Sequence, residues 1–162
     1  MSNHENLLSE LDRMWERCLT RRVHLLSGTP LWHAGSIGPE KPVVNAVLFL
    51  SKNRERQAAH DERAIANSQQ DGLVSYRTEF RLVRELELGF FNRLNLSSLV
   101  SRYCDSDLEL MKQILADWLA LNGLDGMISF NGDLDEVLIV RPEADLRIHE
   151  HVALEHSFVG SD

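Results

Sequence analysis

The sequence is poor in basic residues, cysteine and long hydrophobic runs, and each shortage excludes a class of protein. Lys and Arg total 17 against 25 Asp and Glu, so the formal net charge is −8. Because nucleic-acid affinity comes largely from excess positive charge, nucleic acid is not the expected partner. No stretch approaches the roughly 18 consecutive apolar residues that span a bilayer, so we expect no membrane partner either.

Cysteine and histidine give no clear metal signature. Cys18 and Cys104 lie far apart in helix-like segments, so we expect reduced, packed thiols. His149, Glu150 and His151 stand close together near the end of the chain. The last dozen residues are expected to be frayed, and alternating histidines on such a tail are more often solvated than bound to metal. No metal site is therefore predicted.

The composition is that of an ordinary globular protein. The chain has 162 residues, 43% of them hydrophobic and 26% charged, which fits a single domain over residues 1–162. The first residues lack the basic head and apolar core of a signal peptide, so the expected localisation is cytoplasmic. The alternative is export by a specialised secretion system that recognises a non-hydrophobic signal.

Helix and strand patterns alternate along the chain and predict an α+β domain. Apolar residues at helical spacing from Leu7 to Leu19 predict an amphipathic helix, placed within residues 5–26. Ser106 and Glu109 form a capping box before a later helix that ends at Asn122-Gly123. Two further helices are predicted, over 52–69 and 97–103. Strands are predicted over 31–34, 43–51, 78–83 and 144–148, and around Met127 and Leu138.

The most informative stretch begins at Gly123-Leu124-Asp125-Gly126 and reads as a buried strand, a polar turn and a second buried strand. Glu136 stands at the first position of the second strand, directly before Val137-Leu138-Ile139-Val140. A carboxylate fixed on a strand is held more rigidly than one on a loop, which suits catalysis. The alternative is a solvated strand end.

Two other polar residues end predicted strands. His33 follows Leu31-Trp32, and Ser51 follows Phe49-Leu50. A strand-end histidine is structural more often than functional, and Ser51 alone is a good helix N-cap. The sequence has no phosphate-binding loop, dinucleotide fingerprint, zinc quartet or nucleophile elbow.

In their order and spacing these signals resemble the ADP-ribosyltransferase superfamily of bacteria and phages. The resemblance spans residues 31–148. The matching segments are Trp32-His33-Ala34-Gly35-Ser36, Phe49-Leu50-Ser51 with Ala58-Ala59, Gly123-Leu124-Asp125-Gly126-Met127-Ile128, and Glu136-Val137-Leu138-Ile139-Val140-Arg141-Pro142. It implies an ADP-ribosyltransferase-like fold, in which two small, mostly antiparallel sheets form an NAD+ cleft flanked by helices.

The resemblance also implies roles for single residues, with NAD+ as the substrate. Glu136 would be the catalytic residue, contacting a hydroxyl of the nicotinamide ribose and stabilising positive charge on the sugar as nicotinamide leaves. His33 would bind a ribose hydroxyl, and the backbone around Ala34 and Gly35 would bind the nicotinamide amide. Ser51 would steady Glu136.

The sequence departs from the family at three places. Ala34 stands where glycine is common. The aromatic residue that stacks on nicotinamide in the family is not identifiable in this sequence, and Trp32, Phe49 and Tyr76 are only candidates. Leu134 stands two residues before Glu136, where arginine-modifying relatives carry Glu or Gln. Since an aliphatic side chain cannot accept a proton from a guanidinium, arginine is not the expected acceptor.

The predicted function is therefore that of a glycosyltransferase, an ADP-ribosyltransferase that modifies a macromolecule, with a protein as the expected acceptor. Hydrolysis of NAD+ is a close variant that would suit a toxin, effector or defence role, which leaves room for an inhibitory partner protein. One alternative is a non-catalytic interaction domain with an acidic surface. In that case the first helix would pack on a partner, and Glu136 would be a strand-edge charge that discourages sheet pairing. Another is an unrelated α+β enzyme.

Overall fold

The computed structural model describes residues 2–35, 48–52, 61–67, 74–94, 96–105, 107–131 and 134–154. The helices are α1 (Asn3–Arg17), α2 (61–67), α3 (Leu96–Tyr103), α4 (Leu108–Leu121) and α5 (Pro142–Asp145). The strands are β1 (Arg22–Leu25), β2 (Pro30–Gly35), β3 (Leu48–Ser51), β4 (Ser75–Leu82), β5 (Leu86–Phe91), β6 (Gly126–Asn131), β7 (Leu134–Ile139) and β8 (Leu146–Leu154). None of these helices is long and apolar enough to cross a membrane.

The described strands form one eight-stranded sheet in the order β1-β5-β6-β7-β3-β2-β4-β8. Neighbouring strands are antiparallel except β5 and β6, which are parallel. The predicted combination of helices with mostly antiparallel strands is thus confirmed. The two separate sheets implied by the resemblance are not seen among the described strands. The physical reason is the pairing of Trp32 on β2 with Ser51 on β3, which joins β2-β4-β8 to the other five strands.

Two clusters of buried apolar side chains lie on the two faces of the sheet. The first packs α1, α3 and α4 against β5, β6 and β7. The buried residues of the second cluster all lie on strands. They come both from β2 and β4 and from the other five strands, for example Phe80 on β4 and Leu25 and Leu88 on β1 and β5. Since β1 and β4 are far apart in the strand order, sharing one cluster requires the sheet to curl around it.

Helix α1 begins with a capping box, in which the Ser2 side chain accepts from the Glu5 amide and the Glu5 side chain accepts from the Ser2 amide. Leu7 and Leu11 are 0% exposed, so the apolar stripe packs on the core of this chain. This packing removes one argument for the alternative of a non-catalytic interaction domain, in which the first helix would pack on a partner. The helix is shorter than the predicted 5–26, because Leu19 (φ 60°) and its neighbour adopt left-handed backbone and turn the chain into β1.

Helix α4 has the predicted position but a different cap. Asp107, rather than Ser106, is the N-cap residue, and its side chain accepts from the Leu110 amide at 3.1 Å. Ser106 lies outside the described residues. The predicted end is confirmed, since Asn122 is the C-cap and Gly123 has a φ of 64°.

The strands differ from the predictions in their bounds and number. Strand β7 begins at Leu134, so Glu136 is its third residue and not its first. Strand β8 includes His149 and continues to Leu154, so its last four residues belong to the segment predicted to be frayed. Ala144, predicted to begin a strand, belongs to α5. Strands β1 and β5 were not predicted. Residues 43–47, and those of the predicted helix over 52–69 other than residues 52 and 61–67, lie outside the described part of the chain.

Candidate active site

Four side chains stand next to one another across four neighbouring strands, and we call them the polar row. Ser129 on β6 pairs with Glu136 on β7, and Glu136 pairs with Ser51 on β3. Ser51 in turn pairs with Trp32 on β2. Directly paired residues project from the same face, with Cβ atoms about 4.5–5.5 Å apart. The register therefore places the Glu136 side chain between the side chains of two serines.

The polar row lies in the interior of the sheet. Ser51 and Ser129 are each 4% exposed, whereas Glu136 and Trp32 are half-buried. Strand β7 has a partner on both sides, so Glu136 is not a charge that guards a sheet edge. A carboxylate in this position combines a fixed backbone with partial access to solvent.

Ser129 was not singled out from the sequence. Its Oγ accepts a hydrogen bond from the Leu94 amide at 3.0 Å, which ties the polar row to the segment between β5 and α3. The signal available in the sequence was a polar residue inside the apolar run from Met127 to Phe130. On its own, such a serine is too common to indicate a site.

Helices cover this face of the sheet on both sides of the polar row. Leu138, two residues after Glu136, packs in the cluster formed with α1, α3 and α4. On the other side, Ser75 of β4 donates from Oγ to the Ala64 carbonyl oxygen of α2 at 2.8 Å. Arg77 of β4 also contacts α2, through an ion pair with Asp61 at 2.9 Å. The polar row thus lies between two helical layers.

His33 follows Trp32 on β2. Strand alternation directs its side chain to the opposite face, the face of Leu31 and Thr78. The imidazole lies close to the backbone two residues on, because a Cβ added to Gly35 would be 2.8 Å from the His33 Cε1. Within the described residues β2 pairs with β3 only at Trp32. His33 therefore stands where the two strands separate.

The other predicted site residues occupy the same two strands. Ala34 and Gly35 pair with Arg77 and Tyr76 on β4. The backbone of Phe49 pairs with Leu138 on β7, while its side chain lies outside what the structure describes.

The structure therefore brings Glu136, Ser51 and Trp32 together on one face. His33, Ala34 and Gly35 follow on the strand that leads away from the polar row.

Two other polar clusters among the described residues bond within the fold. Arg84 bonds Asp125 at 2.9 Å and Asp145 at 2.8 Å, and the hydrogen bonds to these two carboxylates raise the pKa of its guanidinium. The Thr78 Oγ1 and the His151 Nδ1 are 2.8 Å apart and share a hydrogen bond. Among the described residues, no group of three or more His, Cys, Asp or Glu is arranged to hold a metal ion.

Comparison with known proteins gives little beyond the geometry. No family model and no curated protein matches the sequence. A similar solved structure is the MbcT–MbcA toxin–antitoxin complex of M. tuberculosis, with a TM-score of 0.49 and 10% identity over 93% of this chain and 92% of that chain. A likeness of this size carries no argument about function.

Proposed function

We propose that the protein is an NAD+-consuming enzyme that breaks the bond between nicotinamide and ribose and transfers ADP-ribose to a macromolecule or to water. The observation that supports this proposal is the position of Glu136. It is a half-buried carboxylate on an interior strand, and the register sets it between two buried serines.

The energetic argument is that the polar row places polar groups in the interior of the sheet, where their burial costs free energy. Burying a hydroxyl or a carboxylate costs free energy unless hydrogen bonds replace the lost water. Val137 and Ile139, on the other face of the same strand, are both 0% exposed. Apolar residues in place of the two serines and Glu136 would pack with no such cost. Local departures of this kind concentrate at functional sites.

The chemistry follows from a fixed negative charge beside a sugar. When the C1′–N bond breaks, its electron pair leaves with nicotinamide and positive charge develops on the ribose. Glu136 stabilises that charge, and the acceptor then forms the new bond to C1′ and gives up its proton to solvent. Ser51 holds the carboxylate in place, because the ionised form accepts hydrogen bonds.

The binding roles in the proposal follow the resemblance and the register. His33 binds a ribose hydroxyl at the point where β2 and β3 separate, and the backbone of Ala34 and Gly35 binds the nicotinamide amide. Trp32 is the stacking candidate in the polar row, since the register pairs it with Ser51. The acceptor is a protein or water.

The first test measures release of free nicotinamide from NAD+, with and without cell lysate. Lysate-dependent release indicates transfer, and release from the pure protein indicates hydrolysis. Glu136→Gln keeps the shape and removes the charge, so kcat should fall by about 10²–10³ while NAD+ binding is kept. Glu150→Gln, which changes an exposed glutamate on β8, is the matched control and should leave kcat unchanged.

Binding is tested separately by thermal unfolding. NAD+ at 100 times its dissociation constant should stabilise the protein by about 2.7 kcal/mol. His33→Ala should weaken this stabilisation, because it removes a hydrogen bond to the ribose. Absence of any shift at millimolar NAD+, or equal turnover by Glu136→Gln and wild type, would contradict the proposal.

A further inference from the structure

We propose that Ser129 is a second positioning residue for Glu136, acting on the carboxylate from the side opposite Ser51. This inference rests on the proposed function and deepens it. It makes the carboxylate the centre of a two-sided clamp, in which one serine comes from each neighbouring strand.

The first step of the argument is reach. Ser129 pairs directly with Glu136, so both side chains project from the same face at a Cβ separation of about 4.5–5.5 Å. A serine hydroxyl and a glutamate carboxylate can span this separation with one hydrogen bond. Both serine residues of the clamp are 4% exposed, so water competes weakly for either bond.

The second step is the orientation of the hydroxyl. The Ser129 Oγ accepts from the Leu94 amide at 3.0 Å, which fixes one lone pair of the oxygen. A serine hydroxyl that accepts in this way still donates its own proton. The carboxylate next to it in the polar row is an acceptor-only group when ionised. The amide of Leu94 thus sets Ser129 to donate toward Glu136.

The third step is rigidity, which favours Ser129 over Ser51 as the firmer support. Strand β6 lies between β5 and β7 and pairs with β7 along its whole length, Gly126 to Asn131. Strand β3 has only four residues, and Ser51 is its last. Ser129 therefore holds the carboxylate from a fixed interior strand, whereas Ser51 holds it from a strand end.

The experiment compares Ser129→Ala with wild type by separating kcat from KM. Loss of a hydrogen bond to the carboxylate should lower kcat about tenfold, because such a bond to a charged group is worth on the order of a factor of ten or more. KM should stay within about twofold, since Ser129 is not proposed to touch NAD+. Ser129→Thr, which keeps the hydroxyl, should restore most of kcat.

Ser75→Ala is the matched control. Ser75 is also buried and bonds a backbone carbonyl, but it lies on β4, outside the polar row. This variant should show a similar loss in Tm and no loss of kcat. An equal loss of kcat in both serine variants, or unchanged kcat in Ser129→Ala, would overturn the positioning role. If Ser129→Ala does not fold, Ser129→Cys replaces it, because a thiol fills the same space and donates weakly.

A readout that needs no activity keeps this inference separate from the proposed function. We expect the Tm shifts of Ser129→Ala and Glu136→Ala to be non-additive in the double variant, because the two residues share one interaction. Additive shifts would overturn the clamp whatever the activity. Non-additive shifts in a protein that releases no nicotinamide would instead keep the clamp and remove the proposed function.

Discussion

At the residue scale, the missing side chain at Gly35 decides where the imidazole of His33 can lie. A Cβ at this position would be 2.8 Å from the His33 Cε1, closer than real Cβ atoms approach other atoms. The backbone of Gly35 has no left-handed φ, so alanine is tolerated there by the backbone itself. The imidazole ring of His33 therefore occupies the space that a side chain at position 35 would need.

Gly35→Ala should displace the His33 ring and weaken NAD+ binding about tenfold, the equivalent of about 1.4 kcal/mol and of one lost hydrogen bond. Calorimetric titration with NAD+ measures the change. Tm should change little, because alanine removes unfolded-state entropy at a position where the backbone can accept it.

The double variant Gly35→Ala/His33→Ala is the control for this mechanism. Once the ring is gone there is nothing to displace, so the double variant should bind NAD+ as His33→Ala does. Binding weaker than that of His33→Ala would show that Gly35 acts through the backbone and not through His33.

At the scale of elements, the position of Glu136 depends on the close approach of β6 and β7. A Cβ on Gly126 would collide with the backbone carbonyl oxygen of Leu138, which cannot move without disturbing the ladder between the two strands. Gly123, three residues earlier, has open space around its would-be Cβ but a φ of 64°. The two glycines are thus required for different reasons.

Gly126→Ala should lower the free energy of unfolding by about 1–3 kcal/mol through steric overlap. Gly123→Ala should cost about 1 kcal/mol through left-handed backbone alone. Denaturant unfolding measures both. If the ladder positions Glu136, Gly126→Ala should also lower kcat, whereas Gly123→Ala should not. Equal effects of the two variants on kcat would contradict this role of the ladder.

The sequence predicted those elements whose patterns are local. Helix α4 and its glycine end follow from periodicity and capping, and the apolar runs around Met127 and Leu138 predicted β6 and β7. Strand β5 was missed even though Leu86 and Leu88 alternate with Glu87, because Gly89 and two following phenylalanines blur the alternation. Strand β8 was only partly found, because its exposed polar residues read as a tail.

The register between strands cannot be predicted from local sequence patterns. That Ser129 and Ser51 flank Glu136 depends on which strands become neighbours, and their pairing joins residues far apart in sequence. The resemblance stated from the sequence implied that Ser51 and Glu136 belong to one site. It gave no reason to choose Ser129 among the serines of the chain.

At the scale of the whole molecule, the apolar cluster that packs α1, α3 and α4 against the sheet contains a thiol that can report on its opening. Cys104 is 3% exposed, just after α3, and packs in the cluster with α1 and α4. Burial, with the nearby charges of Asp107 and Asp105, raises the pKa of this thiol. Since the thiolate is the reactive form, Cys104 should be inert while the cluster is closed.

The pH dependence follows from the same shift. The folded state favours the neutral thiol, so the unfolded chain ionises first as the pH rises. This contribution to stability is complete below the ordinary pKa of a thiol and is lost as the pH rises through the folded value. Cys104→Ala should therefore lose less stability than wild type over that alkaline range, as measured by denaturant unfolding at a series of pH values.

Labelling of Cys104 by a thiol reagent tests whether the cluster opens only with the whole fold. In Cys18→Ala, where Cys104 is the remaining cysteine, labelling should be slow and should accelerate with denaturant in step with unfolding. A ligand that binds only the folded state lowers the population of the open state by mass action. Saturating NAD+ should therefore slow the labelling, although Cys104 is not proposed to touch the ligand. Fast labelling that does not depend on denaturant would show instead that the cluster opens locally, without unfolding of the whole protein.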